Sequence, residues 1–279
     1  MVFSSVLRTT QRFGTLALSA SLLWAGAVQA QVGISPLVIE LDSQRGQAQG
    51  MVSVVNNTDK EFRARIYAEP FTYMKDEGFQ TLPESPNDLR PYLQFSPREL
   101  AVPPGVTRRV RFTARLAPNL PDGEYRTILF TESLRESTPG DSNASAVGIK
   151  ARVGTTVYVR KGNVSSNLAV GSANWDSSEN KIALLVSKRG KASARPSVTW
   201  NLKQGDKVVK TGTVDSTTVI AEGDRNISIY SPGEGETPLA SGSYQLSGEL
   251  AWGPQRQQQT MPFNVNLTIP AQSVPAPSR

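Results

Sequence analysis

A chain with no His and no Cys lacks the two side chains that do most nucleophile, proton-shuttle and transition-metal chemistry in proteins. Without an imidazole the many Ser and Thr hydroxyls have no ordinary base to activate them. Carboxylates remain, 24 of them, but they are scattered, with neither the paired setting of a glycosidase nor the spacing of a calcium loop. No Gly-rich phosphate motif is present. The sequence therefore predicts no catalytic residue, no metal, no cofactor and no small-molecule substrate. A binding protein is expected, not an enzyme.

The segment with the clearest chemical meaning is a backbone one. From Val147 to Arg160 the odd positions read Val147, Ile149, Ala151, Val153, Thr155, Val157 and Val159, and the even ones Gly148, Lys150, Arg152, Gly154, Thr156, Tyr158 and Arg160. Such alternation is a strand with one apolar and one polar face, and it is longer than the usual strand of about five or six residues. A strand that outruns its own sheet leaves a hydrogen-bonding edge and apolar side chains unburied, a liability unless a partner uses them. The alternative is a long core strand with every odd residue packed internally.

The elements that must position this segment are strands throughout. Residues 1–30 stand apart: Arg8 and Arg12 precede a short apolar run, and Val28-Gln29-Ala30 carries the small residues a signal peptidase reads, so cleavage before Gln31 is expected. The apolar run is too short to span a bilayer. Loss of Arg8 and Arg12 leaves 28 cations against 24 anions. A basic exported chain meets anionic surfaces or partners, and export argues against nucleic acid. With no disulfides available, core burial alone must hold the fold.

Seven or eight strands are expected over residues 31–161. Val32–Leu41 is a strand that Pro36 confines to a sheet edge or to a switch between sheets; in Val106–Leu116, Val110 and Phe112 point inward and Arg109, Arg111 and Arg115 outward. Lys161-Gly162-Asn163 breaks the pattern. A second strand series follows over residues 162–270, holding Trp175, Trp200 and Trp252, with a frayed tail at 271–279. Short strands, frequent turns and no helical period predict an all-β chain whose first half is an immunoglobulin-like sandwich and whose second is an antiparallel sandwich or barrel.

Four stretches in this order are similar to the PapD-like periplasmic chaperones of the chaperone–usher pilus pathway. They are Ile34-Ser-Pro with Met51-Val-Ser-Val-Val-Asn-Asn, Phe95-Ser-Pro through Pro103-Pro-Gly to Phe112, Leu120-Pro-Asp-Gly-Glu-Tyr-Arg-Thr, and the long strand ending Val157-Tyr-Val-Arg160. The resemblance covers about residues 32–161; the second half matches only in size and strand content. It implies two immunoglobulin-like domains in an L shape, a periplasmic location, and pilus subunits and an outer-membrane usher as partners. It also implies donor-strand complementation: the chaperone lends its long strand to a subunit that lacks one. Val147, Ile149, Ala151 and Val153 are then the donor residues.

The same resemblance implies an Arg and a Lys that hold the subunit's terminal carboxylate, but the matching positions are Val38 and Thr156. The anchor is therefore absent or moved. Lys150 and Arg152 share the polar parity of Thr156, and Arg126 lies on the strand expected beside it. A carboxylate favours the planar fork of Arg; the alternative is an ordinary solvated face. Glu124 and Arg160 resemble the family's inter-domain ion pair. The row Arg108, Arg109, Arg111 and Arg115 reads either as attraction of a subunit or usher, or as a solvated face. A competing class is a secreted two-domain adhesin or glycan-binding structural protein, which would pack the long strand fully and bind through its loops.

Overall fold

The computed structural model describes residues 31–134, 151–215, 217–233 and 239–271. Val147, Ile149, Lys150 and the leader expected at 1–30 lie outside the described residues. The described chain is built from strands, with two single 3-10 turns.

In the first half the strands are β1 (Val32–Ser35), β2 (Val38–Asp42), β3 (Gln47–Asn56), β4 (Phe62–Glu69), β5 (Phe71–Met74) and β6 (Gly78–Thr81). They continue with β7 (Leu93–Ser96), β8 (Glu99–Val102), β9 (Thr107–Arg115), β10 (Gly123–Ser133) and β11 (Arg152–Lys161). One sheet runs β1-β3-β9-β7 and the facing one β2-β11-β10-β4-β8. Strict alternation explains the sandwich. On β3 and β9, Val52, Val110 and Phe112 turn inward while Met51, Arg109 and Arg111 face out. The inward set meets Ile39, Ile66, Leu129, Val157 and Val159 from the other sheet. Each such buried side chain contributes about 1.5–3 kcal/mol.

Pro36 acts as the switch: β1 pairs antiparallel with β3, and past the proline β2 pairs parallel with β11 in the opposite sheet. The sequence reading missed the hairpin β5–β6, so the first half has more strands than expected. Its signal was present, since Phe71-Thr-Tyr-Met and Gly78-Phe-Gln-Thr flank the turn Lys75-Asp-Glu.

The second half comprises β12 (Leu168–Asp176), β13 (Lys181–Lys188), β14 (Ser197–Gln204), β15 (Lys207–Val214), β16 (Arg225–Tyr230), β17 (Gly242–Trp252) and β18 (Gln259–Ile269). These match the expected series. Sheets β12-β13-β16 and β15-β14-β17-β18 enclose Leu184, Trp200, Leu202, Leu246 and Leu250. This three-plus-four arrangement is immunoglobulin-like. Each half also has a tyrosine corner: Tyr125 Oη donates to the Pro121 carbonyl at 2.9 Å, and Tyr244 Oη to the Ala240 carbonyl at 2.7 Å. In both cases the Tyr is the third residue of one of the longest strands of its half, β10 or β17.

The two halves share a packed junction. Ile220 of the second inserts among Phe71, Ile128, Phe130 and Tyr158 of the first. The β5–β6 turn reaches across to β16, where the Asn226 N–H donates to the Lys75 carbonyl at 2.9 Å and its side-chain amide to Asp76 at 2.6 Å.

Candidate functional site

The long strand β11 has two edges with different fates. One is paired with β10 along its length, Glu132↔Arg152 through Gly123↔Lys161. The other is covered by β2 only from Thr156 to Arg160. The Thr156 N–H donates to the Leu37 carbonyl at 2.9 Å, which fixes the even-numbered backbone groups of β11 toward β2. By the alternation of strand backbone, the N–H and C=O of Gly154 and Arg152 point the same way. No described strand pairs with them. Ala151 carries the opposite parity, its carbonyl accepting from Ser133 on the β10 side.

Side chains along this open stretch are apolar and exposed. Val153 is 39% exposed, Val38 39% and Leu37 54%, and Ala151 is exposed. Further along, Thr155, Val157 and Val159 are buried in the core. The odd-numbered row therefore leaves its own sandwich between Thr155 and Val153. Gly154 permits close approach on the opposite face, where a Cβ would strike the side chains of Ile128 and Phe130. Thr155 Oγ1 donates to the Pro36 carbonyl at 3.0 Å and pins the strand where β2 begins.

The even-numbered face differs from expectation. It is not a uniformly polar surface: Thr156 and Tyr158 are buried, and Tyr158 packs edge-on to Phe71 at 5.6 Å. The reason is the junction, since the second half covers this face through Ile220. Burial pushes the Tyr158 phenol far above its ordinary value, with Tyr73 adding to the effect.

The described anchor candidates, Thr156, Arg152 and Arg126, are not brought to one point. Thr156 Oγ1 donates to the Leu37 carbonyl at 3.3 Å, so its proton is engaged. Arg152 is exposed, with its guanidinium 4.4 Å from the Phe130 ring centroid and 3.5 Å from Tyr67 Oη. Tyr67 in turn donates to Glu132 at 2.6 Å, and Arg65 grips the same carboxylate at 3.0 and 3.1 Å. Arg126 lies near the other end of β10 and is no solvated residue: it is 3% exposed. Its Nη1 and Nη2 reach Glu222 of the second half at 2.9 and 2.5 Å, and Asn87 adds 2.6 Å to the same carboxylate. Arg126 thus already holds a carboxylate, this chain's own.

Glu124 and Arg160 do meet, at 3.5 Å across β10 and β11, but Glu124 is fully buried rather than a surface acid. It accepts the Ser193 N–H at 3.0 Å and the Ser193 hydroxyl, while Arg160 also contacts Glu40 at 3.0 Å and the Ser193 carbonyl at 3.4 Å. Burial raises the Glu124 carboxyl above its ordinary value, against the pull of the Ser193 donors, Arg126 and Arg160. Ser193 and Glu222 were not singled out in the sequence. Neither lies in a motif, and only the fold brings them to the junction.

No family model matches the sequence, and no characterised protein matches it by sequence. Solved structures do resemble its fold. One is the class 5 fimbriae chaperone CfaA, with a TM-score of 0.49 and 13% identity over 84% of this chain and 99% of that one. A second is the CsuC–CsuE chaperone–tip adhesion subunit complex from archaic chaperone-usher Csu pili of Acinetobacter baumannii, at 0.48 and 14% over 86% and 99%. The SafB chaperone complex with the SafA pilin of Salmonella enterica gives 0.46 and 10% over 86% and 97%. At these identities the likeness is one of fold alone.

Proposed function

We propose that the protein is a periplasmic chaperone that holds pilus subunits by donor-strand complementation and passes them to an outer-membrane usher. The observation that carries this reading is the open edge of β11. Backbone groups of Arg152 and Gly154 are unpaired by any described strand, and the apolar side chains of that stretch, Ala151 and Val153, are exposed. Continued through Ile149 and Val147, the same parity offers four apolar side chains to the groove of a sandwich that lacks a strand. An adhesin that packed this strand fully would bury Val153. The motif resemblance over residues 32–161 supports the same reading.

The test uses Ile149→Asp and Val153→Asp in the full chain, co-expressed with a pilus subunit that lacks its last strand. Burying a Val or Ile side chain contributes about 1.5–3 kcal/mol, and a buried carboxylate adds a desolvation cost. Each variant is expected to lose subunit capture by at least about ten-fold while its thermal midpoint stays within about 2 °C of the parent. Lys150→Glu, on the other face, is expected to weaken capture less. Unfolding of the free Ile149→Asp protein would make the strand a core strand. Retention of both stability and capture would exclude complementation by this segment.

A further inference from the structure

The outer face of the sheet β1-β3-β9-β7 carries a second feature, remote from the β11 edge. Along β9 the outward residues are Thr107, Arg109, Arg111, Thr113 and Arg115. Register places Ser53 beside Arg109, Met51 and Ser96 beside Arg111, and Gln47 beside Arg115. None of these neighbours is acidic. Arg108 joins the group at the start of the strand, and Thr107, Arg108, Arg109 and Arg111 line a surface depression of about 410 Å³. Five guanidiniums elsewhere are ion-paired: Arg65 with Glu132, Arg90 with Asp88, Arg126 with Glu222, and Arg160 and Arg195 with Glu40. On β9, none of the four has an ion pair among the described residues.

Like charges two residues apart on one strand face repel, so an uncompensated row is a cost to the free protein. The composition is also unlike a solvated face, which mixes Lys with Glu and Asp. Arg around an exposed Met, here Met51 at 47%, is the make-up of an interface centre. We propose that this face docks an acidic protein surface, with Met51 as the apolar contact and Arg108, Arg109 and Arg111 as forks for carboxylates. Charge complementarity selects that occupant over a membrane. A lipid surface is held stably only with apolar insertion as well as charge, and Met51 is the one large apolar side chain of the face that is exposed. The inference stands apart from the β11 reading, because it uses the opposite sheet and none of the same residues.

The experiment measures binding of the full chain to immobilised poly-L-glutamate and, separately, to vesicles containing phosphatidylglycerol, across a salt series. Binding to the carboxylate polymer that weakens with salt is expected. Arg109→Glu/Arg111→Glu should lower it about ten-fold or more, and Met51→Ser should lower it measurably without any change of charge. The thermal midpoint of the double variant should be unchanged or higher. A control with the same charge change on the second half, Lys207→Glu/Arg256→Glu, should lose far less. An equal loss in the control would reduce the effect to net charge and overturn the proposal. Preferential binding to the vesicles would overturn it in favour of a membrane.

Discussion

Removing Glu222 should reveal what a buried arginine costs when it is left alone. Arg126 is 3% exposed, and its guanidinium cannot shed its charge by losing a proton. Both Nη groups are spent on Glu222, and Nε has no hydrogen-bond partner among the described residues. Losing one partner of a fully buried pair costs about 3–5 kcal/mol. The Glu222 side chain is 38% exposed, so water can enter the vacated space and recover part of that loss. The expected cost of Glu222→Ala is therefore about 2 kcal/mol, a fall of about 4–8 °C in the midpoint. Glu222→Gln keeps one acceptor and should lose about half as much. The double variant Arg126→Met/Glu222→Leu removes the stranded charge and should return to within about 1 kcal/mol of the parent. Urea unfolding followed by tryptophan fluorescence and circular dichroism measures all three. A cost below about 0.5 kcal/mol for Glu222→Ala, or a double variant as unstable as the single one, would refute the reasoning.

The other expectations are shorter. Glu124 has a carboxyl raised by burial above its ordinary 4.5, so the folded state holds that proton more tightly than the unfolded chain. Its contribution is complete below about pH 4.5 and is lost as pH rises through the folded value; Glu124→Gln should remove that slope in midpoints measured from pH 4 to 7. Gly154→Val should cost about 1–3 kcal/mol through overpacking against Ile128 and Phe130. Gly33→Ala, whose new methyl group meets only Val55 Cβ at 3.9 Å, should change the midpoint by less than about 0.5 kcal/mol. We place the domain boundary in the segment 162–167, between β11 and β12, and a chain of residues 162–279 should keep a cooperative fluorescence transition from Trp175, Trp200 and Trp252. Loss of that transition would make the two halves one inseparable unit.

The all-β class and most strands could be read from the sequence because each buries one face, and a period of two survives in the residue order. Val110 and Phe112 against Arg109 and Arg111 is the plainest case. The same rule failed where a strand is covered on both sides. β10 is buried from Glu124 through Thr131 with no alternation, and on β11 the even-numbered Thr156 and Tyr158 are buried as well, Tyr158 against Ile220 of the second half. The tyrosine corners were legible in principle, since Pro121-Asp-Gly-Glu-Tyr125 and Ala240-Ser-Gly-Ser-Tyr244 place a Gly two residues and the accepting carbonyl four residues before the Tyr. For the candidate site, the apolar parity of Ala151 and Val153 was visible. What was not visible is that β2 stops short of them, because register is a property of two segments that lie more than a hundred residues apart. The pairing of Arg126 with Glu222 escaped for the same reason.

The hairpin β5–β6 has a consequence for the order in which the chain is made. β16 is the outer strand of its three-stranded sheet, and the Asn226 N–H on its outer side is taken by the Lys75 carbonyl. Synthesis delivers Lys75 about 150 residues before Asn226. The cover is therefore already present when the strand it shields first forms, and the exposed rim need never meet the same rim of another molecule. In the reverse order, with the second half made first, that rim would stand open for the time taken to translate the rest.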